Sequence, residues 1–228
     1  LGEFGTVLNS LQDALFAGVF LWIVYIALEP LTRRRWPHRI ISWTRLLAGD
    51  FRDPLVGRDV LIGGVAAMAI VLWQFGLFFI RTWLGDPNLK PHVEPAVTNL
   101  GMQTFIPAVT NLFTAPLLNA SLWFFLTLLL AIVLRRDWLG FLGGGIVFTA
   151  VLALLGGGTA YNWIGASITV LMMTFVLYRY GLLAVMFALV YVHLYIFFPL
   201  TPRLTTWYAS GFVIALVLNL RRPQYADL

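Results

Sequence analysis

The chain has 228 residues, of which 60% are apolar, 11% are charged and none is cysteine, and its formal net charge is +5. A soluble domain carries about 25% charged residues, so a water-exposed globule is excluded. Disulfides, thiolate catalysis and cysteine-based zinc or iron–sulfur sites are excluded as well.

The composition therefore calls for lipid as solvent, and the length is best counted in spans of about 20 residues. The chain begins at Leu1, and residues 1–10 lack the basic start of a signal peptide. It reads as a processed chain or as one that begins inside a longer product.

Seven apolar runs follow, at 11–28, 60–80, 117–134, 138–155, 163–178, 182–198 and 204–220. Several are short: 17 residues of helix cover about 26 Å, a little less than a typical hydrocarbon core. Trp83, Trp138, Trp163 and Trp207 stand at or near run ends, where an indole can keep its ring in lipid and its N–H in water.

The basic residues alternate with the runs. Arg33, Arg34, Arg35, Arg39, Arg45, Arg52 and Arg58 lie between the first two runs, Arg135 and Arg136 between the third and fourth, and Arg179 between the fifth and sixth. Arg221 and Arg222 follow the seventh. These twelve fall on one side of a seven-span chain, and only Arg81, Lys90 and Arg203 fall on the other. The basic side is the cytoplasm. The fold class expected is all-α: a polytopic transmembrane bundle of about seven spans, N-terminus outside, C-terminus cytoplasmic, forming one membrane domain over 1–228.

Two connections are long. The cytoplasmic one, 29–59, contains Ile40, Trp43, Leu46 and Leu47 at helical spacing, flanked by arginines. That pattern predicts a short amphipathic helix lying in the inner interface, with Asp59 capping the second span. Arg33, Arg34, Arg35, Arg39, Trp43 and Arg45 are the candidate contacts to lipid or partner. The outside connection, 81–116, holds five prolines (Pro87, Pro91, Pro95, Pro107, Pro116). It is apolar enough to lie on the membrane or to dip into it as a re-entrant segment or a broken eighth helix. Gly143-Gly144-Gly145 reads as a helix-packing site and Gly156-Gly157-Gly158 as an outside turn.

Chemistry is sparse. Asp13 is the one acid within a run, and no metalloprotease, nucleophile-elbow, phosphate-loop or dinucleotide motif is present. His193, between Tyr191 and Tyr195 in the sixth run, is the cofactor candidate. It could ligate the metal of a haem or a chlorophyll, or relay a proton. The commoner role is a neutral imidazole bonded to a neighbouring helix. A bis-histidine haem is not expected, because His38 and His92 lie in loops. Gln74, Asn119 and Asn219 read as interhelical hydrogen-bonding residues. No metal site is expected, no intrinsic cofactor is assigned, and bound lipid is anticipated. No basic patch interleaved with aromatics stands apart from a span, so nucleic acid is not an expected partner.

The first cytoplasmic loop carries a resemblance. Tyr25-Ile26-Ala27-Leu28-Glu29-Pro30, Arg33-Arg34-Arg35-Trp36-Pro37, Ile41-Ser42-Trp43-Thr44-Arg45-Leu46-Leu47-Ala48-Gly49 and Arg52-Asp53-Pro54-Leu55-Val56-Gly57-Arg58-Asp59 are similar to the multi-pass C-terminal membrane region of some bacterial serine/threonine protein kinases. Phe198-Pro199-Leu200-Thr201 and Trp207-Tyr208-Ala209 resemble it too. None of the kinase catalytic motifs is present, so no catalytic residue carries over.

Three functional expectations result. The first is a non-catalytic accessory subunit of a bacterial inner-membrane complex, respiratory or photosynthetic, contacting lipids and other membrane subunits. The second is the membrane sensor or anchor region of a serine/threonine kinase. The third is a small-molecule or cofactor transporter using His193.

Overall fold

A computed structural model describes residues 2–86 and 102–197. The described chain is helical throughout. Helix α1 runs Gly2–Arg35, a 3-10 turn follows at Pro37–Arg39, and α2 is Ile41–Leu47. Helices α3 (Pro54–Trp83), α4 (Met102–Val133), α5 (Asp137–Leu155), α6 (Ala160–Tyr180) and α7 (Leu182–Phe197) complete it.

Four helices are long and apolar enough to cross a membrane: α3, the Val109–Val133 part of α4, α5 and α6. Helix α1 is a fifth if its two halves count as one span. They meet at 46°, between Leu11–Ala27 and Glu29–Arg35. Pro30 lies beside this bend; a proline has no N–H to donate and its ring crowds the carbonyl four residues back. Helix α7, the sixth apolar run, is shorter. The seventh, 204–220, lies outside the described residues.

The reason α7 can be short is its position. It packs against α3, α4 and α6, and Leu182, Leu183, Ala184, Val185, Met186 and Ala188 are all buried. A helix that is apolar all round belongs in the middle of a bundle. There it borrows the bilayer depth of its neighbours.

Helix α3 shows how the bundle sorts its faces. Val56, Asp59, Gly63, Ala67 and Ile70 are buried, while Leu61, Val65, Met68, Leu72, Phe75 and Phe79 are exposed. Both stripes follow helical spacing, but they differ in side-chain size more than in polarity. Small residues let two backbones close up, and large ones meet lipid. At Gly63 a Cβ would come within 2.7 Å of the Ala184 carbonyl. Gly140 and Gly144 of α5 likewise sit against Thr127 and Ala131 of α4. The packing expected at Gly143-Gly144-Gly145 is thus made mainly by the Gly140–Gly144 pair.

Two expected segments take definite form and one expectation needs correction. Residues 102–116, expected as part of an outside loop, a re-entrant segment or a broken helix, are helical and form the first half of α4, with Pro107 and Pro116 inside the helix. Membrane helices tolerate interior proline because nearby hydroxyls and neighbouring helices serve the freed backbone groups. Residues 87–101 of that connection lie outside the described residues. Second, the short helix expected in the cytoplasmic connection is α2, which leaves Ile41 and Leu47 exposed. It is docked on α3 and α7, Ile40 is buried, and Trp43 packs against the core. Third, Asp53 rather than Asp59 caps α3, its Oδ1 accepting from the Leu55 N–H at 2.8 Å.

Candidate functional site

The helix ends that carry arginines meet at one end of the bundle. The Arg35 Nε donates to Asp137 Oδ1 at 2.8 Å, joining the end of α1 to the start of α5. The α6–α7 turn packs on Arg39, and α2 rests on α3 and α7. Arg33, Arg34, Arg35, Arg39, Arg45, Arg52, Arg58, Arg135, Arg136 and Arg179 share this end with Glu29, Asp50, Asp53, Asp59 and Asp137. Ten guanidinium groups face five carboxylates there. At the opposite end, Arg81 stacks on Tyr161 at 5.0 Å and pairs with Asp86 at 2.9 Å.

Arg39 anchors the basic end from inside. It is only 7% exposed. Its guanidinium carbon lies 4.4 Å from the Trp36 ring, 4.5 Å from Phe141 and 4.9 Å from Tyr178. Trp36 is 1% exposed and stacks on Phe141 with ring centroids 5.0 Å apart. The Arg39 Nε and Nη1 have no hydrogen-bond acceptor. Three ring faces stand in for acceptors, because a desolvated cation is attracted to the negative face of an aromatic ring. Burial lowers the Arg39 pKa, and the Asp137 carboxylate partly offsets this. The Trp36 indole N–H lies toward Asp137 without reaching good hydrogen-bond geometry.

The other arginines named from sequence are distributed differently. Arg33 pairs with Glu29 at 2.6 Å, Arg35 with Asp137 and Arg45 with Asp53. Arg34 is exposed. Arg39, expected to meet lipid or a partner, turns instead into the aromatic ends of α5 and α6, while Trp43 is half-buried and lines a cleft.

Asp59 is 0% exposed. Its Oδ1 takes the Arg58 Nη2 at 2.8 Å, and its Oδ2 has no partner. Gly63, one turn further along α3, faces Ala184 and Ala188. That register puts Asp59 at the level of the first turn of α7, where unsatisfied N–H groups and the helix dipole favour a negative charge.

A cleft of about 50 Å³ opens at the bend of α1. Leu21, Val24, Phe124, Ile40 and Leu182 form its apolar wall, and Tyr25, Glu29, Thr32, Trp43 and Ser121 supply polar atoms. Glu29 and Arg33 pair here through Glu29 Oε1, with the Tyr25 hydroxyl beside both. The i, i+4, i+8 spacing of Tyr25, Glu29 and Arg33 is legible in sequence as one helix face. The cage of Trp36, Phe141 and Tyr178 is not, since Trp36 lies more than a hundred residues before the other two.

His193 is half-buried on α7. Its Nδ1 lies 2.8 Å from the Leu189 carbonyl of its own helix. A carbonyl only accepts, so the proton is on Nδ1 and the lone pair on Nε2. One partner is thus the preceding turn of its own helix. Among the described residues no group of three or more His, Asp or Glu side chains is placed to hold a metal ion.

Comparison with family models, curated proteins and solved structures gives no match.

Proposed function

We propose that the chain is a non-catalytic integral membrane subunit, with about seven spans, its N-terminus outside and its arginine-rich end in the cytoplasm of a bacterial inner membrane. Among the described residues, ten arginines at one end of the bundle against Arg81 at the other support the orientation, because basic residues are retained on the cytoplasmic side. The packing of α1 supports the subunit role. That helix rests chiefly on α4 and leaves Leu15, Phe16, Val19, Trp22 and Ile23 exposed. It is the face on which a partner's helix would pack, and the basic end would meet anionic lipid or an acidic partner segment.

Native purification in mild detergent, with mass spectrometry of co-purifying chains and with cross-linking from Phe16 and Trp22, tests this reading. Stoichiometric membrane subunits cross-linked to α1 are expected; a lone chain with a turnover of its own sinks it. Orientation is tested by thiol labelling, since the cysteine-free chain accepts single reporters. Arg34→Cys should react from the cytoplasmic side only, and Trp83→Cys from the outside only.

A second reading, the membrane sensor or anchor region of a serine/threonine kinase, is favoured by one observation. Residues of the kinase-like first loop, including Trp36, Arg45, Asp53 and Asp59, are those that build the basic end. A kinase domain in the same polypeptide would decide for it.

A further inference from the structure

The cleft at the bend of α1 joins three features. Its wall is largely apolar, it lies at the depth where the basic end begins, and Glu29, which lines it, is already paired with Arg33. We propose that it seats the first methylenes of one aminophospholipid chain against Leu21, Val24 and Phe124, with the glycerol outside at the mouth, the ammonium on Glu29 and the phosphate on Arg33. This rests on the membrane reading above.

Size limits what can enter. An apolar cavity of about 150 Å³ binds benzene, and this cleft is near 50 Å³. A ring or a whole chain is too large, so only a short part of an amphiphile fits while the rest stays in the bilayer. Depth points to the part nearest the headgroup, because Glu29, Ile40 and Trp43 belong to the basic end rather than to mid-membrane. Tyr25, Thr32 and Ser121 add hydroxyl-bearing side chains to the lining.

Charge selects the headgroup. Arg33 is largely exposed, and both of its contacts to Glu29 fall on Oε1. A carboxylate has about four acceptor sites and a guanidinium five donors, so each retains capacity for a ligand. An ethanolamine headgroup supplies an N–H cation for Glu29 and a phosphate for Arg33. A glycerol headgroup has no cation for Glu29. A choline headgroup has a cation without an N–H donor.

Native mass spectrometry of the full chain, titrated with phosphatidylethanolamine, phosphatidylcholine and phosphatidylglycerol of matched acyl chains, tests the assignment. One phosphatidylethanolamine per chain is expected, retained about tenfold better than the other two, a gap of about 1.4 kcal/mol. Glu29→Gln should reduce it to the phosphatidylcholine level. Ser121→Trp, which fills the cleft, should remove it, while Leu155→Trp at the other end should not. Should either cleft variant fail to fold, the wild-type chain is photo-cross-linked with a phosphatidylethanolamine carrying a diazirine near its glycerol, and adducts are expected on Leu21, Val24 or Phe124. Equal retention of the three lipids, preference for phosphatidylglycerol, or adducts elsewhere overturns the site and leaves the membrane reading intact. Free glycerophosphoethanolamine binding as well as the lipid also overturns it, assigning the mouth to a soluble headgroup. A chain that does not partition into vesicles sinks the membrane reading itself.

Discussion

Gly181 packs directly on the Arg39 backbone, and a Cβ at Gly181 would collide with the Arg39 carbonyl. The glycine has φ +97° and ψ −168°, a region open essentially to glycine alone. It ends α6, starts α7 and clamps the loop carrying Arg39. Gly181→Ala therefore meets both a strained backbone and a backbone clash. A loss of about 2–4 kcal/mol is expected, since the strain alone costs about 1–3 kcal/mol. Thermal unfolding in detergent, followed by circular dichroism, measures it.

Arg39 is held by its flat cation rather than by hydrogen bonds. Arg39→Lys keeps the charge but not the planar group that stacks on Trp36, Phe141 and Tyr178. It should cost about 1–2 kcal/mol, the range of a desolvated cation–π contact. Arg39→Ala should cost more, because it also leaves a cavity. If Lys and Ala destabilise equally, the ring contacts do not hold the cation. Tryptophan fluorescence should shift with either variant, since Trp36 loses its cover.

The Arg35–Asp137 pair joins α1 to α5, but both side chains are partly exposed, at 29% and 45%. Such pairs are worth about 0–1 kcal/mol. A double-mutant cycle of Arg35→Gln and Asp137→Asn should give a coupling within that range, falling as salt rises. A coupling well above it would mean that the pair is screened from water by the surrounding bilayer.

Asp53 predicts an acid-side effect. Its carboxyl is held below the usual carboxylate range, first by the Leu55 N–H it accepts and then by Arg45. A group whose folded pKa is depressed stabilises the fold above its unfolded pKa. That contribution is lost as pH falls through the folded value. Stability owed to Asp53 should thus be constant from neutral pH to about 5 and decline below about 4. Asp53→Asn keeps a capping oxygen and should flatten this decline without abolishing the helix start. An unchanged acid profile in Asp53→Asn would assign the decline to other carboxylates.

Much of the candidate site was legible in part. The arginine clustering, the helix-end tryptophans and the i, i+4 Glu29–Arg33 pair lie within single stretches, so spacing reveals them. The direction of Ile40 and Trp43 was not legible. An apolar stripe flanked by arginines looks the same whether it faces lipid or protein, and only its packing on α3 and α7 determines which. The start of α4 stayed open in sequence between loop and helix, because proline breaks helices in water while a bilayer tolerates it inside them. His193 illustrates the same limit: its residue type marks a candidate, but its tautomer depends on the Leu189 carbonyl one turn back.

The sequence by itself determined that this is a chain of apolar helices with basic residues at alternate connections, because hydropathy and charge are local properties that a bilayer sorts along one axis. It could not determine which apolar face meets protein, since lipid and protein interior are equally greasy and burial follows side-chain size and backbone approach. Only the tertiary structure decided that α7 is the central helix, that Arg39 is enclosed by Trp36, Phe141 and Tyr178, and that a cleft lies beside Glu29 near the bend of α1. Each of these depends on residues far apart in the chain meeting at one depth.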